Sequence, residues 1–298
     1  MKTSSLFLIT LSLVLLSFRS DKPAYLLYDR EGKAAGYQEM IEIISSADVV
    51  FFGELHDNPI SHWLEYEVTA DLHRKAGNGL VLGAEMFEAD DQLVLDEYLS
   101  GRYEADKFEA EVKLWKNYRT DYRPLVEFAK KNGLPFIATN IPRRYASMVS
   151  RGGFEVLDSL TAEAKSLIAP LPMPYDPELK CYKDMMSMHG MPGMGGKPNE
   201  NFPKAQAAKD ATMAHFIISN LSQGQTFIHY NGAYHSDNYQ GIIYYLRLYS
   251  PGIRVATVTT VLQDEIETLH PDNTGLADFI IAVRSEERRV GKECRSRW

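Results

Sequence analysis

The chain has 298 residues, 45% of them hydrophobic and 24% charged, with a formal net charge of −8. That length suffices for one large domain with a substantial core, and the ordinary balance argues against global disorder and against a polytopic membrane protein. The acidic balance, with no Lys/Arg stripe interleaved with aromatics, argues against nucleic acid as a partner.

The first residues run from Lys2 through the apolar stretch Leu6 to Leu16 into Ser17-Phe18-Arg19-Ser20. Charged, apolar and polar segments in that order are the pattern of a secretory signal over residues 1–20, so an exported, periplasmic or cell-envelope protein is expected. No cysteine follows the run, and a lipoprotein anchor is therefore not expected. Cys181 and Cys294 are the only cysteines, so no disulfide framework is indicated and the core must carry the fold. Composition changes abruptly at Ser285, and residues 285–298 are set aside as a non-native tail, leaving a single domain over 21–284.

Within that domain Ala24 to Asp29 reads as an extended entry and Tyr37 to Ser46 as a helix. Val49-Val-Phe-Phe-Gly-Glu54 is a continuous apolar run closed by Gly and a polar residue, the pattern of a strand buried on both faces. Asn58-Pro59 opens a helix with Ile60, Leu64, Val68 and Leu72 at helical spacing until Gly77. Gly79 to Phe87 is a second strand. Helices are expected over Asp90–Leu99, Ala105–Asn117 and Tyr122–Asn132, then a strand over Pro135–Asn140 and a helix start at Arg143. A Pro- and Met-rich segment, about 169–203, breaks the alternation as an ordered insertion or lid. A helix from Pro203 to Leu221, a strand Gln225–Tyr230, a helix Ser236–Tyr249 and strands Arg254–Leu262 and Asp278–Arg284 follow. This alternation predicts an α/β fold, a mostly parallel sheet flanked by helices on both faces, with a Met-rich lid or insertion.

The carboxyl ends of parallel strands form the ligand crevice of such a fold. The sequence places Gly53, Glu54, His56 and Asp57 after the first buried strand, Glu85 and Glu88 after the next, Asn140 and Arg143 after the third, and His229, Asn231 and His235 after a later one. Imidazoles bind metals or move protons near neutral pH, and neighbouring carboxylates ligate, orient the ring or shift its pKa. Two Gly-x-x-His turns, Gly53 to His56 and Gly232 to His235, are expected to form two walls of that site. His62 and His73 are read as surface or capping residues, and His215 as a core histidine.

Four segments in order, Gly53-Glu-Leu-His-Asp-Asn-Pro59, Gly83-Ala-Glu-Met-Phe-Glu88, Ala205-Gln206-x3-Asp210-x2-Met213-Ala214 and Asn231-Gly232-x2-His235, resemble the ChaN haem-binding uptake family, itself similar to the Tiki and erythromycin-esterase group. The resemblance covers about 40–262. It implies an envelope protein binding haem in iron acquisition, with an outer-membrane haem receptor and a homodimer as partners to expect. Many bacterial members are lipoproteins, from which this chain departs. The Tiki side implies instead a metal-dependent hydrolase, peptidase or esterase, with Glu54, His56, Glu85 and His235 at its centre and His56, Glu85 and His235 as divalent-metal ligands. No HExxH occurs, so zincin chemistry is not indicated. Glu88, Asn140 and Asn231 would complete the cleft.

Haem needs a flat apolar slot, an axial Tyr, His, Met or Cys, and cations for its propionates. The insertion offers Tyr175, Cys181, Tyr182, Met185, Met186, Met188, His189, Met191 and Met194, with Tyr182 as the candidate axial ligand and Arg143, Arg144 and Lys183 as propionate partners. The same thioethers suit Cu(I), and an adaptable lid packed over the cleft accounts for them without any ligand.

Overall fold

Seven strands form one sheet in this computed structural model, which describes residues 22–189 and 199–285. They are β1 (Tyr25–Asp29), β2 (Val49–Glu54), β3 (Leu80–Glu88), β4 (Phe136–Asn140), β5 (Thr226–Gly232), β6 (Val255–Gln263) and β7 (Phe279–Arg284). The order across the sheet is β1-β7-β6-β2-β5-β3-β4. Only β1 is antiparallel, against β7, so the extended entry closes one edge of an otherwise parallel sheet.

Side chains on a strand alternate between faces, and the apolar runs divide accordingly. Val50 and Phe52 of β2 join one hydrophobic layer, beneath the helices Tyr37–Ile44, Pro59–Ala76, Gln92–Leu99 and Arg123–Asn132. Val49 and Phe51 join the other, beneath Arg143–Gly152, Asn201–Ser219 and Ile242–Tyr249. All six residues of β2 are buried, as expected of a central parallel strand. The α/β architecture expected from the alternation is therefore the one observed.

Helix Pro59–Ala76 begins where Asn58 Oδ1 accepts from Ile60 N and Ser61 N, each at 3.0 Å, and ends at Gly77 with φ 55°. Two expected helices are shorter than their sequences suggest. Ala105–Glu111 stops because Val112 turns extended, and the chain then crosses towards β2 through Trp115 and Asn117 before a π-turn over Tyr118–Tyr122. The expected helix Ser236–Tyr249 is broken by Asn238 (φ 58°) and Gly241 (φ 55°); a Cβ on Gly241 would stand 2.3 Å from the carbonyl oxygen of His235. Among the described residues no helix is long and apolar enough to cross a membrane. The residues assigned to a signal and nearly all of the C-terminal tail lie outside the described range.

Candidate functional site

β2 and β5 are neighbours, and their register sets Gly53 beside Asn231 and Glu54 beside Gly232. The two Gly-x-x-His turns therefore leave adjacent strands at the same level. They face a cleft of about 590 Å³ lined by residues from four strand ends, including Glu54, His56, Glu85, Glu88, Asn140, Arg143 and His235. Of the residues expected at the strand ends, Glu54, His56, Asp57, Glu85, Glu88, Asn140, Arg143 and His235 meet there, while His229 and Asn231 are fully buried and do not line it, Asn231 donating to Gly232 O and Ser236 Oγ.

Each cleft imidazole is backed by a buried carboxylate. His56 Nδ1 is 2.6 Å from Glu54 Oε1, which also accepts from Tyr122 Oη at 2.6 Å. The His56 side chain is 44% exposed and Glu54 fully buried. Among the described residues His56 Nε2 has no hydrogen-bond partner, and Trp115 meets the ring edge to face at 4.8 Å. Burial disfavours the imidazolium, but the Glu54 hydrogen bond and the Glu85 charge outweigh it and raise the His56 pKa. Burial would raise the Glu54 carboxyl, yet bonds from His56 and its other neighbours hold it below the usual range.

Across the cleft, towards helix Asn201–Ser219, His235 Nδ1 is 2.5 Å from Asp210 Oδ1, and its Nε2 is 3.2 Å from Glu85 Oε1. Glu85 Oε2 in turn accepts from Gly232 N at 2.9 Å, and Gln206 Nε2 approaches the His235 ring at 2.9 Å. Although burial disfavours the charged ring, Glu85 and Asp210 push the His235 pKa up to about 10. The same pairing outweighs the burial of Glu85 and depresses its carboxyl strongly. Near neutrality His235 is thus an imidazolium clasped between two carboxylates, and a metal could take its nitrogen only after displacing a proton.

The cleft rim is polar and partly basic. Asn140 Nδ2 donates to Glu85 O at 2.8 Å, while its buried Oδ1 has no partner among the described residues. Glu88 Oε2 accepts from Arg143 N at 2.9 Å, and the Arg143 side chain is 72% exposed at the mouth beside Lys209. Leu55, Met86, Trp115 and Ile141 supply apolar wall. His56, Glu85 and His235 do not close around one point: among the described residues the trio whose ligand atoms all fall within 4.8 Å of one another is Glu54, His62 and Glu65.

The insertion residues fall elsewhere. Tyr182 is 1% exposed and its Oη donates to Asp210 Oδ2 at 2.7 Å, behind His235. Burial and the Asp210 charge raise its pKa well above the phenol range, so it is a neutral positioning group and not a phenolate open to haem iron. Cys181 is also buried, which pushes its thiol up to about 12. Met185 packs against the hydrophobic layer, and Met186 borders a second pocket with Tyr175, Pro177, Lys183, Glu200 and Lys204 that shares no lining residue with the cleft. Residues 169–186 therefore line no part of the cleft, where a lid was expected. The side chains of Met188 and His189, and the whole of Met191 and Met194, lie outside the described residues. Arg144 pairs with Asp90 and Lys183 with Glu178.

Several site residues have no counterpart among the expected ones. His62 is buried, not superficial, with Nδ1 3.0 Å from Glu65 Oε2 and Nε2 3.1 Å from His56 O. Burial and the Glu54 charge raise the Glu65 carboxyl well above its usual range. Tyr122, Trp115 and Asn117, whose Nδ2 donates to His56 O at 2.7 Å, arrive from the irregular crossing. Asp210 and Gln206 lie one turn apart on Asn201–Ser219. His229 is fully buried inside the sheet and is structural, while His215 is only partly buried.

Residues 40–246 match the family described as haem-binding uptake, Tiki superfamily, ChaN. The chain belongs to that family. Its fold is similar to that of ChaN of Campylobacter jejuni, for which cofacial haem binding is described, with a TM-score of 0.65, 16% identity, and 88% of this chain and 97% of that one covered. At that identity the likeness shows a shared ChaN fold. The chain is also similar to the chloroplastic protein RETICULATA-RELATED 5 of Arabidopsis thaliana, 23% identical over 193 residues, 61% of this chain. It spans 26% of that plant protein's length.

Proposed function

We propose that this ChaN-family protein binds haem in iron uptake at the cell envelope, as an exported carrier that exchanges haem with an outer-membrane receptor. Family membership across residues 40–246 motivates the ligand, and the state of His56 carries its placement. Haem supplies an iron with an axial position to fill, and His56 suits it. Its Nδ1 is fixed by Glu54, and among the described residues its Nε2 has no partner in a half-exposed ring. An axial imidazole anchored through its other nitrogen is the arrangement that sets ring orientation and basicity. Trp115, Met86 and Ile141 offer apolar contact and Arg143 and Lys209 offer cations for the propionates. Titration of the purified full chain with haemin is expected to give a saturable Soret shift; a spectrum that stays that of free haemin sinks the proposal.

The paired Glu54–His56 and Asp210–His235 couples favour a second reading, a metal-dependent hydrolase. A carboxylate behind each of two imidazoles is also the outer shell of a divalent-metal site, and Glu85 would be the third ligand. That reading requires His235 to lose its proton and His56 to close on Glu85. It predicts metal in the purified protein and ester or peptide hydrolysis abolished by either His56→Ala or His235→Ala. Metal-free protein without turnover removes it.

A further inference from the structure

On the far side of Glu54 from the cleft, three buried side chains turn acceptor atoms towards one another. His62 Nδ1 is 3.0 Å from Glu65 Oε2 and 3.4 Å from Glu54 Oε2. The side chains of Glu54 and Glu65 are 0% exposed and that of His62 5%. The tautomer of His62 follows from its other nitrogen. Nε2 lies 3.1 Å from the backbone carbonyl of His56, and a carbonyl only accepts, so Nε2 carries the hydrogen. In the neutral ring Nδ1 is then a lone pair aimed at two carboxyl groups. Glu54 Oε2 and Glu65 Oε1 are both buried, with no hydrogen-bond partner among the described residues. The nearby hydroxyls are spent elsewhere, Tyr122 on Glu54 Oε1 and Thr69 on the backbone oxygen of Glu65. With both carboxyls ionised and the ring neutral, three acceptors face inward with no donor between them among the described residues, which leaves the place of a cation.

We propose that Glu54, His62 and Glu65 form a buried site for a divalent transition-metal ion, which shares Glu54 with the cleft and takes no cleft imidazole. One imidazole and two carboxylates suit Zn²⁺, Mn²⁺ or Fe²⁺ and not Cu(I). The 3.0 and 3.4 Å separations compare with about 3.3 Å between tetrahedral ligands standing about 2.0 to 2.1 Å from zinc. Asp121 Oδ2, 3.7 Å from His62 Nε2, lies on the other side of the ring and orients it without entering the set. Because Glu54 also holds His56 Nδ1 through Oε1, an ion on Oε2 would lie one carboxylate away from the cleft imidazole. The competing occupant is a single proton shared between the two carboxyl groups. The site stands independently of the haem reading.

The test uses the full chain carrying His56→Ala and His235→Ala, which removes both cleft imidazoles, stripped with dipicolinate and titrated with Co²⁺. One equivalent bound with a d–d absorption band is expected. Adding Glu65→Gln or His62→Gln should weaken it by about 100-fold or more, beyond the 10- to 100-fold that loss of an outer-shell partner costs. Circular dichroism of the metal-free variants checks that they fold. Cobalt uptake that disappears with the cleft histidines, or is untouched by Glu65→Gln, overturns the proposal. So does a Glu65→Gln protein that melts higher without any change in cobalt binding, since a shared proton then accounts for the cluster. If neither ligand variant folds, the His56→Ala/His235→Ala protein decides alone, through one tight equivalent or none.

Discussion

Gly232 stands where any side chain would strike the His56 ring: a Cβ there would lie 2.8 Å from both Cε1 and Nε2 and 3.6 Å from Glu85 Oε2. The glycine of one Gly-x-x-His turn thus makes room for the histidine of the other. Gly232→Ala is expected to push His56 off Glu54 and lower the His56 pKa, as followed by histidine NMR. Because the ring is half exposed and can swing outward, the stability loss should be at or below the usual ~1 to 3 kcal/mol for overpacking. An unshifted His56 titration would mean that the ring tolerates the methyl group.

Glu85→Gln tests the His235 clasp in the metal-free protein. A histidine whose folded pKa is raised contributes stability that is fully present below its unfolded pKa and lost as pH rises through the folded value. The folded value for His235 is about 10, so the stability gap between wild type and Glu85→Gln should shrink from about pH 6.5 to pH 10. The depressed Glu85 carboxyl is the same interaction seen from its partner, and it makes the gap shrink again in acid. Thermal melts across pH measure both limbs; a gap that widens between pH 6.5 and 10 would contradict the assignment.

His229 predicts the opposite slope. It is fully buried, with Nδ1 3.0 Å from Asn231 Oδ1 and Nε2 2.8 Å from the Thr139 hydroxyl, and burial pushes its pKa down to about 4. The unfolded chain binds that proton first, so stability should fall as pH drops from about 6.5 towards 4, by roughly 3 kcal/mol, and level below. His229→Asn should flatten that limb in denaturant titrations at each pH. A wild-type slope retained in the variant would assign the acid sensitivity to another group.

The strand-end cluster was legible because each site residue there follows an apolar run that folds as a buried strand, and register then brings the two turns together. The contribution of helix Pro59–Ala76 was hidden. Its apolar spacing at Leu64, Val68 and Leu72 marks one stripe, yet the helix beds deeply enough on the sheet to bury Ser61, His62, Glu65 and Thr69 as well. Ser61, Glu65 and Thr69 recur every four residues, a polar stripe parallel to the apolar one, and that was the available signal. Asp210 and Gln206 stood inside a recognised segment without a role, because only the fold turns that helix face towards His235. Trp115 and Tyr122 gave no signal, since their approach depends on a helix that stops early at Glu111. A phenol in a Met-rich segment suggests a ligand, whereas Tyr182 fills the core behind Asp210.

Tyr182→Phe separates those two roles. Loss of a buried hydrogen bond to a carboxylate should cost about 1.5 to 3 kcal/mol, read by chemical denaturation, while the haem spectrum stays that of wild type. A changed Soret band would return Tyr182 to the haem.

The most direct measurement is haem ligation by the full chain compared with its His56→Ala variant, using Soret absorption and electron paramagnetic resonance at matched haemin concentrations. Saturable binding with a histidine-ligated iron in wild type, and loss of that signature in His56→Ala, is the predicted result. Wild-type protein that leaves haemin unchanged, or a His56→Ala variant with an identical spectrum, would contradict haem binding at the strand-end cleft.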